Sequence, residues 1–174
     1  MALGDAILVC LAERAMSGYD LAKWFDASIG FFWSASHPQI YRELRRLREA
    51  GFVEAEEIAQ SGKPNRIEYS LTEAGRTALL DWSREPVESP ALKDDLLVRF
   101  YALDHVDPEA LREQLLTRRA QHEDRLRRYE KIRAQHYEGR ALSRSERGKR
   151  LGLDLGIRYE KGWIAWCDEA LGEI

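Results

Sequence analysis

The chain has no excess of positive charge, few cysteines and no long apolar run, and each shortage closes off a class of function. No stretch approaches the roughly 20 apolar residues that a membrane-spanning helix needs, so no membrane partner is expected. The apolar start, residues 1–11, has no basic region before it and no cleavage-site pattern. It reads as a first helix rather than a secretion signal. Cys10 and Cys167 sit at opposite ends of 174 residues. Two unclustered thiols read as small buried side chains of a reducing, cytoplasmic setting, with one long-range disulfide as the alternative. The four histidines, at 37, 105, 122 and 136, form no metal-ligand spacing. G-x-S-x-G and G-x-G-x-x-G are absent, and Gly62-Lys63 is a turn rather than a phosphate loop. No catalytic residue, cofactor or metal is therefore assigned, and an enzyme is not expected. The formal charge is −3. Residues 1–85 hold 10 basic and 13 acidic side chains, and residues 86–174 hold 17 of each. Net charge does not advertise a nucleic-acid partner. Any such case rests on local surface, because salt screens distant charge within about 8–10 Å.

What is present suits a soluble chain of one or two small domains: 44% hydrophobic and 33% charged residues. Two kinds of pattern meet near Pro86 and Pro90, dividing the chain into residues 1–85 and 91–174. In the first part, residues 3–13 form an apolar helix. Ser17 looks like an N-cap with Asp20 three residues on, and Leu21, Trp24 and Phe25 give the second helix its apolar face. Ser36 opens a third helix, with Pro38 in its first turn and Gln39 placed for a capping box. Ile40, Leu44 and Leu47 supply its buried stripe, and Gly51 stops it. Residues 52–58 and 67–71 are strand-like around a turn-rich Ser61–Asn65 loop, and Thr72 caps a further helix. Three helices followed by a hairpin and a helix make the winged helix-turn-helix plan, whose third helix is built for a major groove.

On a wheel of about 100° per residue, Arg42, Arg45, Arg46 and Glu49 lie opposite Ile40, with Gln39 at the edge. Arginine matches phosphate and guanine, and glutamine pairs with adenine. Ser36, His37, Gln39 and Tyr41 stand at the helix start. The hairpin tip adds Lys63, Asn65 and Arg66, a basic wing suited to the DNA backbone. Competing readings stay beside these. Glu43 and Glu49 are spaced to pair with Arg46 and Arg45, Tyr41 suits the core equally, and His37 suits a cap.

The run Ser34-x-Ser36-His37-Pro38-Gln39-Ile40-Tyr41-Arg42-Glu43-Leu44-x-x-Leu47-x-x-x-Gly51, with Tyr69-x-Leu71-Thr72-Glu73-Ala74-Gly75 after the wing, resembles the PadR family of transcriptional regulators. Ser17-Gly18-Tyr19-Asp20-Leu21 fits its second helix. The later half, with Trp163, is similar to the longer subfamily. The resemblance implies homodimers on inverted-repeat operators in double-stranded DNA, mostly repressors, released by a small effector such as a phenolic acid. A winged-helix protein-interaction module with no specific DNA site is the alternative.

The second part reads as all-helical: residues 91–103, then a helix from Asp107-Pro108 to about Tyr137, then one from Ser143 to about Leu171. The middle helix has a narrow stripe of Leu111, Leu115, His122, Leu126, Tyr129 and Ile132. The last has two: Leu153, Ile157, Ile164, Cys167 and Leu171, and Leu151, Leu155, Tyr159, Trp163, Trp166 and Ala170. A helix apolar on both sides needs cover on both sides, so a homodimer is expected, with the helical part as its dimerisation domain. Trp33, Tyr159, Trp163 and Trp166, with Trp24, Phe31 and Phe32, form an aromatic surplus. Either these rings fill the core and the dimer seam, or they stack a small aromatic effector between the two parts, with Arg99 or His105 holding its carboxylate.

Overall fold

The computed structural model describes residues 3–27, 29, 33, 35–59, 62, 65–87 and 93–174, with Ala27 described in its backbone alone. Phe31, Phe32, Ser34, Ser61, Lys63 and Pro90, all named above, lie outside the described residues. The chain divides into two units, Met1–Ser89 and Pro90–Ile174.

The first unit runs α1 (Leu3–Glu13), β1 (Met16–Ser17), α2 (Gly18–Ala27), α3 (His37–Glu49), β2 (Val53–Ile58), β3 (Arg66–Leu71) and α4 (Glu73–Trp82). The expected order is present with one addition. β1 pairs antiparallel with β3, Met16 opposite Tyr69 and Ser17 opposite Glu68, so the sheet has three strands in the order β1-β3-β2. Two residues carry no period, and only their long-range partner makes them a strand. Ser17 serves twice: it pairs in the sheet, and its Oγ accepts the Asp20 N–H at 3.1 Å as the cap of α2. Ile40, Leu44 and Leu47 are buried against Ile7, Leu11, Leu21 and Phe25, and Trp24 and Trp33 pack on that core from its edge. Gly51 ends α3 with φ at 75°, a left-handed turn that favours glycine. Thr72 then locks the hairpin to α4. Its Oγ1 donates to Gly51 O at 2.7 Å and accepts the Gly75 N–H at 3.1 Å.

The second unit holds α5 (Asp95–Phe100), a 3-10 turn (Leu103–His105), α6 (Pro108–His136) and α7 (Arg144–Glu173). The helix expected over 91–103 is shorter. Asp94 caps it by accepting the Leu96 N–H at 3.0 Å, and it stops at Phe100. Asp107 accepts the Glu109 N–H, and Ser143 and Glu146 form a reciprocal cap, as their spacing anticipates. Arg119–Asp168 and Arg133–Asp154 ion pairs show that α6 and α7 run antiparallel. At 29 and 30 residues they are about 45 Å long. No helix among the described residues is long and apolar enough to cross a membrane.

The two stripes expected on α7 need correction. The buried side is Leu153, Ile157, Glu160, Trp163, Cys167 and Ala170. Trp163 and Ala170 therefore belong to the seam with α6, while Leu151, Leu155 and Tyr159 are left exposed. A straight wheel drifts relative to a 3.5-residue seam over 30 residues, which moves the late members across. Cys10 and Cys167 are buried thiols in different units, with no disulfide.

The seam has a polar centre. His122 and Glu160 are buried, and the imidazole Nδ1 is in hydrogen-bond contact with Glu160 Oε2. Arg125 Nε donates to both Glu160 oxygens at 3.1 and 3.2 Å, and the His122 ring stacks on Trp163 with centroids 5.0 Å apart. His122 Nε2 is buried without a partner. Burial, with help from Arg125 and Arg118, lowers the His122 pKa below its ordinary 6.5, although Glu160 pulls it up. Protonation would place charge on a buried nitrogen that has no acceptor. In the interval below pH 6.5 the unfolded chain binds this proton and the folded chain does not. This contribution to stability is full above pH 6.5 and declines as pH falls. Denaturant titrations between pH 7.5 and 5 are expected to show that decline, with a shallower one in His122→Gln. Equal slopes would remove His122 as the cause.

Candidate nucleic-acid interface

The third helix presents its start and outer face through a cap that consumes some of the expected DNA-reading groups. Gln39 Oε1 accepts the Ser36 N–H at 2.8 Å and the Ser36 Oγ–H at 2.9 Å. Ser36 and Gln39 thus hold the helix start, and Gln39 keeps only its amide nitrogen for another partner. A two-point contact to adenine requires that cap to open. His37 Nε2 lies 3.2 Å from Asp26 Oδ2, tying α3 to the end of α2.

Arg46 is also engaged. Its Nε donates to both Glu43 oxygens at 3.0 and 3.1 Å, and its Nη2 donates to Oε1 at 2.5 Å. That bond raises the guanidinium pKa further above its ordinary value. The pair lies against α1, where a Cβ on Gly4 would come within 2.6 Å of Glu43 Oε1. Arg46 is therefore held by Glu43 in the free chain, with its side chain still 58% exposed. Arg42 and Arg45 are exposed and form no ion pair among the described residues. Arg48 shares both properties, and the wheel missed it because it lies nearer the buried stripe than the outer face.

The wing is less basic than its tip suggests. Asn65 Nδ2 donates to Glu57 Oε1 at 2.8 Å across the hairpin. Arg66 Nη2 donates to Glu68 Oε1 at 2.7 Å, and Nη1 stands 3.5 Å from Asp20 Oδ2 on α2. The tip has no acid in sequence, but the strands and α2 bring three to it. The ladder sets Glu56 directly opposite Glu68, a like-charge pair that would splay the strands without the Arg66 cation beside it. Arg66 is a fastener between wing and α2. An open groove joins these parts, lined by Gly18, Tyr19, Tyr41, Asn65, Arg66 and Tyr69. Tyr41 is half-exposed and packs over Gly18, where a Cβ would fall 2.4 Å from Tyr41 Cε1. Tyr19 is 63% exposed beside it. Sequence reading passed over Tyr19, whose signal was an aromatic at an otherwise polar helix start.

Residues 7–81 match the model of the transcriptional regulator PadR-like family, and residues 92–174 match the C-terminal model of the virulence activator alpha group. A probable transcriptional regulator of Mycobacterium tuberculosis is 38% identical over 97% of this chain and 95% of its own. The chain belongs to the PadR family of transcriptional regulators. The negative transcriptional regulator PadR of Bacillus subtilis is 31% identical over 97% of this chain and 95% of its own. Its structure in complex with operator DNA superposes with a TM-score of 0.84 over 99% and 97% of the two chains, at 32% identity. It has also been solved with p-coumaric acid, at a TM-score of 0.78 and 26% identity over 98% and 97% of the two chains. The virulence activator AphA of Vibrio cholerae gives 0.81, at 35% identity over 99% and 97%. This PadR-family chain is thus a DNA-binding winged helix followed by a helical C-terminal part.

Of the effector residues expected for such a regulator, Trp33 belongs to the first unit, and Tyr159, Trp163 and Trp166 come together within the second. Trp33 packs on the N-terminal core. Trp163, 9% exposed, lies under the Arg118 guanidinium, 5.3 Å from its ring, and Trp166 meets Trp163 and Phe100 edge-on. Tyr159 is half-exposed at the edge of the same stack. Arg99 donates to Gln114 at the rim of a polar groove shared with Arg118 and Gln121, and His105 is exposed on the 3-10 turn.

Proposed function

We propose that the protein is a homodimeric repressor that binds a pseudo-palindromic operator through α3 and releases it on binding a small aromatic acid. One observation carries the DNA reading. Arg42 and Arg45 are exposed, with no ion pair among the described residues, on the outer face of a helix whose start is held by Ser36, Gln39 and His37. Pre-set donors on a fixed helix are what base-edge recognition in a major groove requires. Tyr41 and Tyr19 are assigned to the backbone beside them, and Lys63 to a phosphate. Dimerisation is assigned to the exposed Leu151, Leu155 and Tyr159 strip. The effector is assigned to the helical unit, with Arg99 as the carboxylate anchor and the Tyr159–Trp163–Trp166 stack as the element that senses it. The p-coumaric acid complex of Bacillus subtilis PadR supports that ligand class.

Selection from random duplexes tests the reading. Enriched sites are expected to be inverted repeats with half-sites about 34 Å, or about 10 base pairs, apart, and aromatic acids are expected to release them. Arg42→Ala and Arg45→Ala are each expected to cost about 1–3 kcal/mol and relax one position if they read a base. Arg46→Ala is expected to cost less, because Glu43 already holds it. Enrichment of no inverted repeat at low salt would favour the protein-interaction alternative.

A further inference from the structure

The charge of this chain is distributed in a way the recognition helix does not explain. Residues 127–150 hold nine Lys and Arg against three Glu, while the rest of the chain holds 18 basic and 27 acidic side chains. These residues are the end of α6, the turn and the first two turns of α7, so the fold collects them at one end of the helical hairpin. The three acids there are all occupied. Glu130 Oε1 is 2.9 Å from Lys161 Nζ, Glu138 accepts from Arg133 at 3.1 Å, and Glu146 accepts from Arg140 at 2.5 Å while capping α7. Arg140, with the Ser143 cap, holds the Glu146 pKa down to about 2, so that carboxylate stays committed. The neighbouring Asp154 lies within ion-pair reach of Arg133 and Arg150. Arg128, Lys131, Arg144 and Arg147 are left exposed, with no ion pair among the described residues. Each pair is spaced i, i+3, so its two cations lie on one side of their helix, about 5–6 Å apart at Cβ. Cations gathered this way repel one another and contribute no packing, so the cluster destabilises the hairpin unless an anion meets it.

We propose that this basic end of the α6–α7 hairpin binds the phosphate backbone of duplex DNA without reading sequence. The inference rests on the DNA-binding reading above. Charge complementarity selects the partner. Residues 1–85 carry 13 acids against 10 bases, so the recognition unit supplies little long-range attraction for a polyanion. Non-specific affinity comes from cations that displace the condensed counterions of the duplex. Arg128, Lys131, Arg144 and Arg147 are the four side chains of this cluster free to do so, and they add capture and residence without altering which operator is chosen.

The test uses the full chain and the variant Arg128→Gln, Lys131→Gln, Arg144→Gln, Arg147→Gln, which leaves the Ser143–Glu146 cap and every ion pair named above intact. Anisotropy of a labelled random-sequence duplex is measured from 50 to 200 mM salt. The slope of log Kobs against log salt is expected to shrink by about 0.9 for each phosphate that the variant no longer neutralises. The same reduction is expected on a selected operator, and the selected sequence itself should not change. Replacing the three arginines by lysine should keep the wild-type slope. Equal slopes for wild type and the Gln variant overturn the proposal, and if operator selection persists in both, the DNA reading survives without it. A wild type that enriches no operator, yet binds random duplex with a slope the Gln variant reduces, keeps the basic contact and removes the operator reading. A Gln variant that binds duplex normally but sediments as a monomer would assign the cluster to a second copy of the chain instead.

Discussion

Leu151→Glu combined with Leu155→Glu is expected to give a folded monomer whose operator affinity is lower by a factor of about 10²–10⁴. Leu151 is 61% exposed, Leu155 69% and Tyr159 52%, and the three recur every four residues along α7. The opposite side of that helix is already used, with Leu153, Ile157, Trp163 and Cys167 buried. New carboxylates on the exposed strip therefore meet water in the monomer and cost it little. In a dimer packed through that strip they would be buried without partners, a cost of several kcal/mol. DNA affinity follows, because each half-site held alone loses the effective concentration the second one supplied. Sedimentation velocity reads the mass, circular dichroism the fold and anisotropy the binding. A double variant that stays dimeric and binds as before would assign dimerisation to another face.

Gly75→Ala is expected to destabilise the winged-helix unit at or beyond the upper end of the usual overpacking range of about 1–3 kcal/mol. A Cβ there would fall 2.2 Å from the Phe52 carbonyl oxygen and 2.7 Å from Leu71 Cδ1. The leucine can turn aside, but the carbonyl cannot, because it accepts the Thr72 N–H at 3.1 Å and joins the start of β2 to the end of β3. Relief requires α4 to move off the hairpin. At about 4–8 °C per kcal/mol for a unit of this size, the first thermal transition should fall by about 10 °C or more. Gly172→Ala, with nothing within 4 Å of its would-be Cβ, is the control and should leave the melting profile near wild type. A Gly75→Ala chain that melts like wild type would show that the contact between α4 and the Phe52 carbonyl is easily loosened.

Much of this architecture was legible because its causes are local. Ser36 with Gln39, Asp107 and Ser143 with Glu146 announce helix starts through bonds that span two or three residues. Ile40, Leu44 and Leu47 announce a buried face through a period that one turn of helix imposes. Thr72 and Gly51 mark the boundaries around the hairpin for the same reason. The candidate site was legible as a set of side chains but not as a set of free ones. Arg42, Arg45 and Arg46 look alike on a wheel, and spacing offers Glu43 to Arg46 and Glu49 to Arg45 alike; only the folded chain forms the first pair and leaves Arg45 without an ion pair among the described residues.

The sequence by itself therefore determined the winged-helix order, the caps, the α3 stripe and the two long C-terminal helices, since each is written in contacts a few residues apart. Tertiary structure alone decided that Met16–Ser17 becomes a strand, because its partner lies some 50 residues away on β3. It decided that Arg66 ties Asp20 to Glu68 in place of standing open on the wing, and that Trp163 enters the α6–α7 seam beside His122 while Leu151 and Leu155 stay in water. Charge partners and helix facing are set by which distant elements come together, and a one-dimensional period carries no record of that.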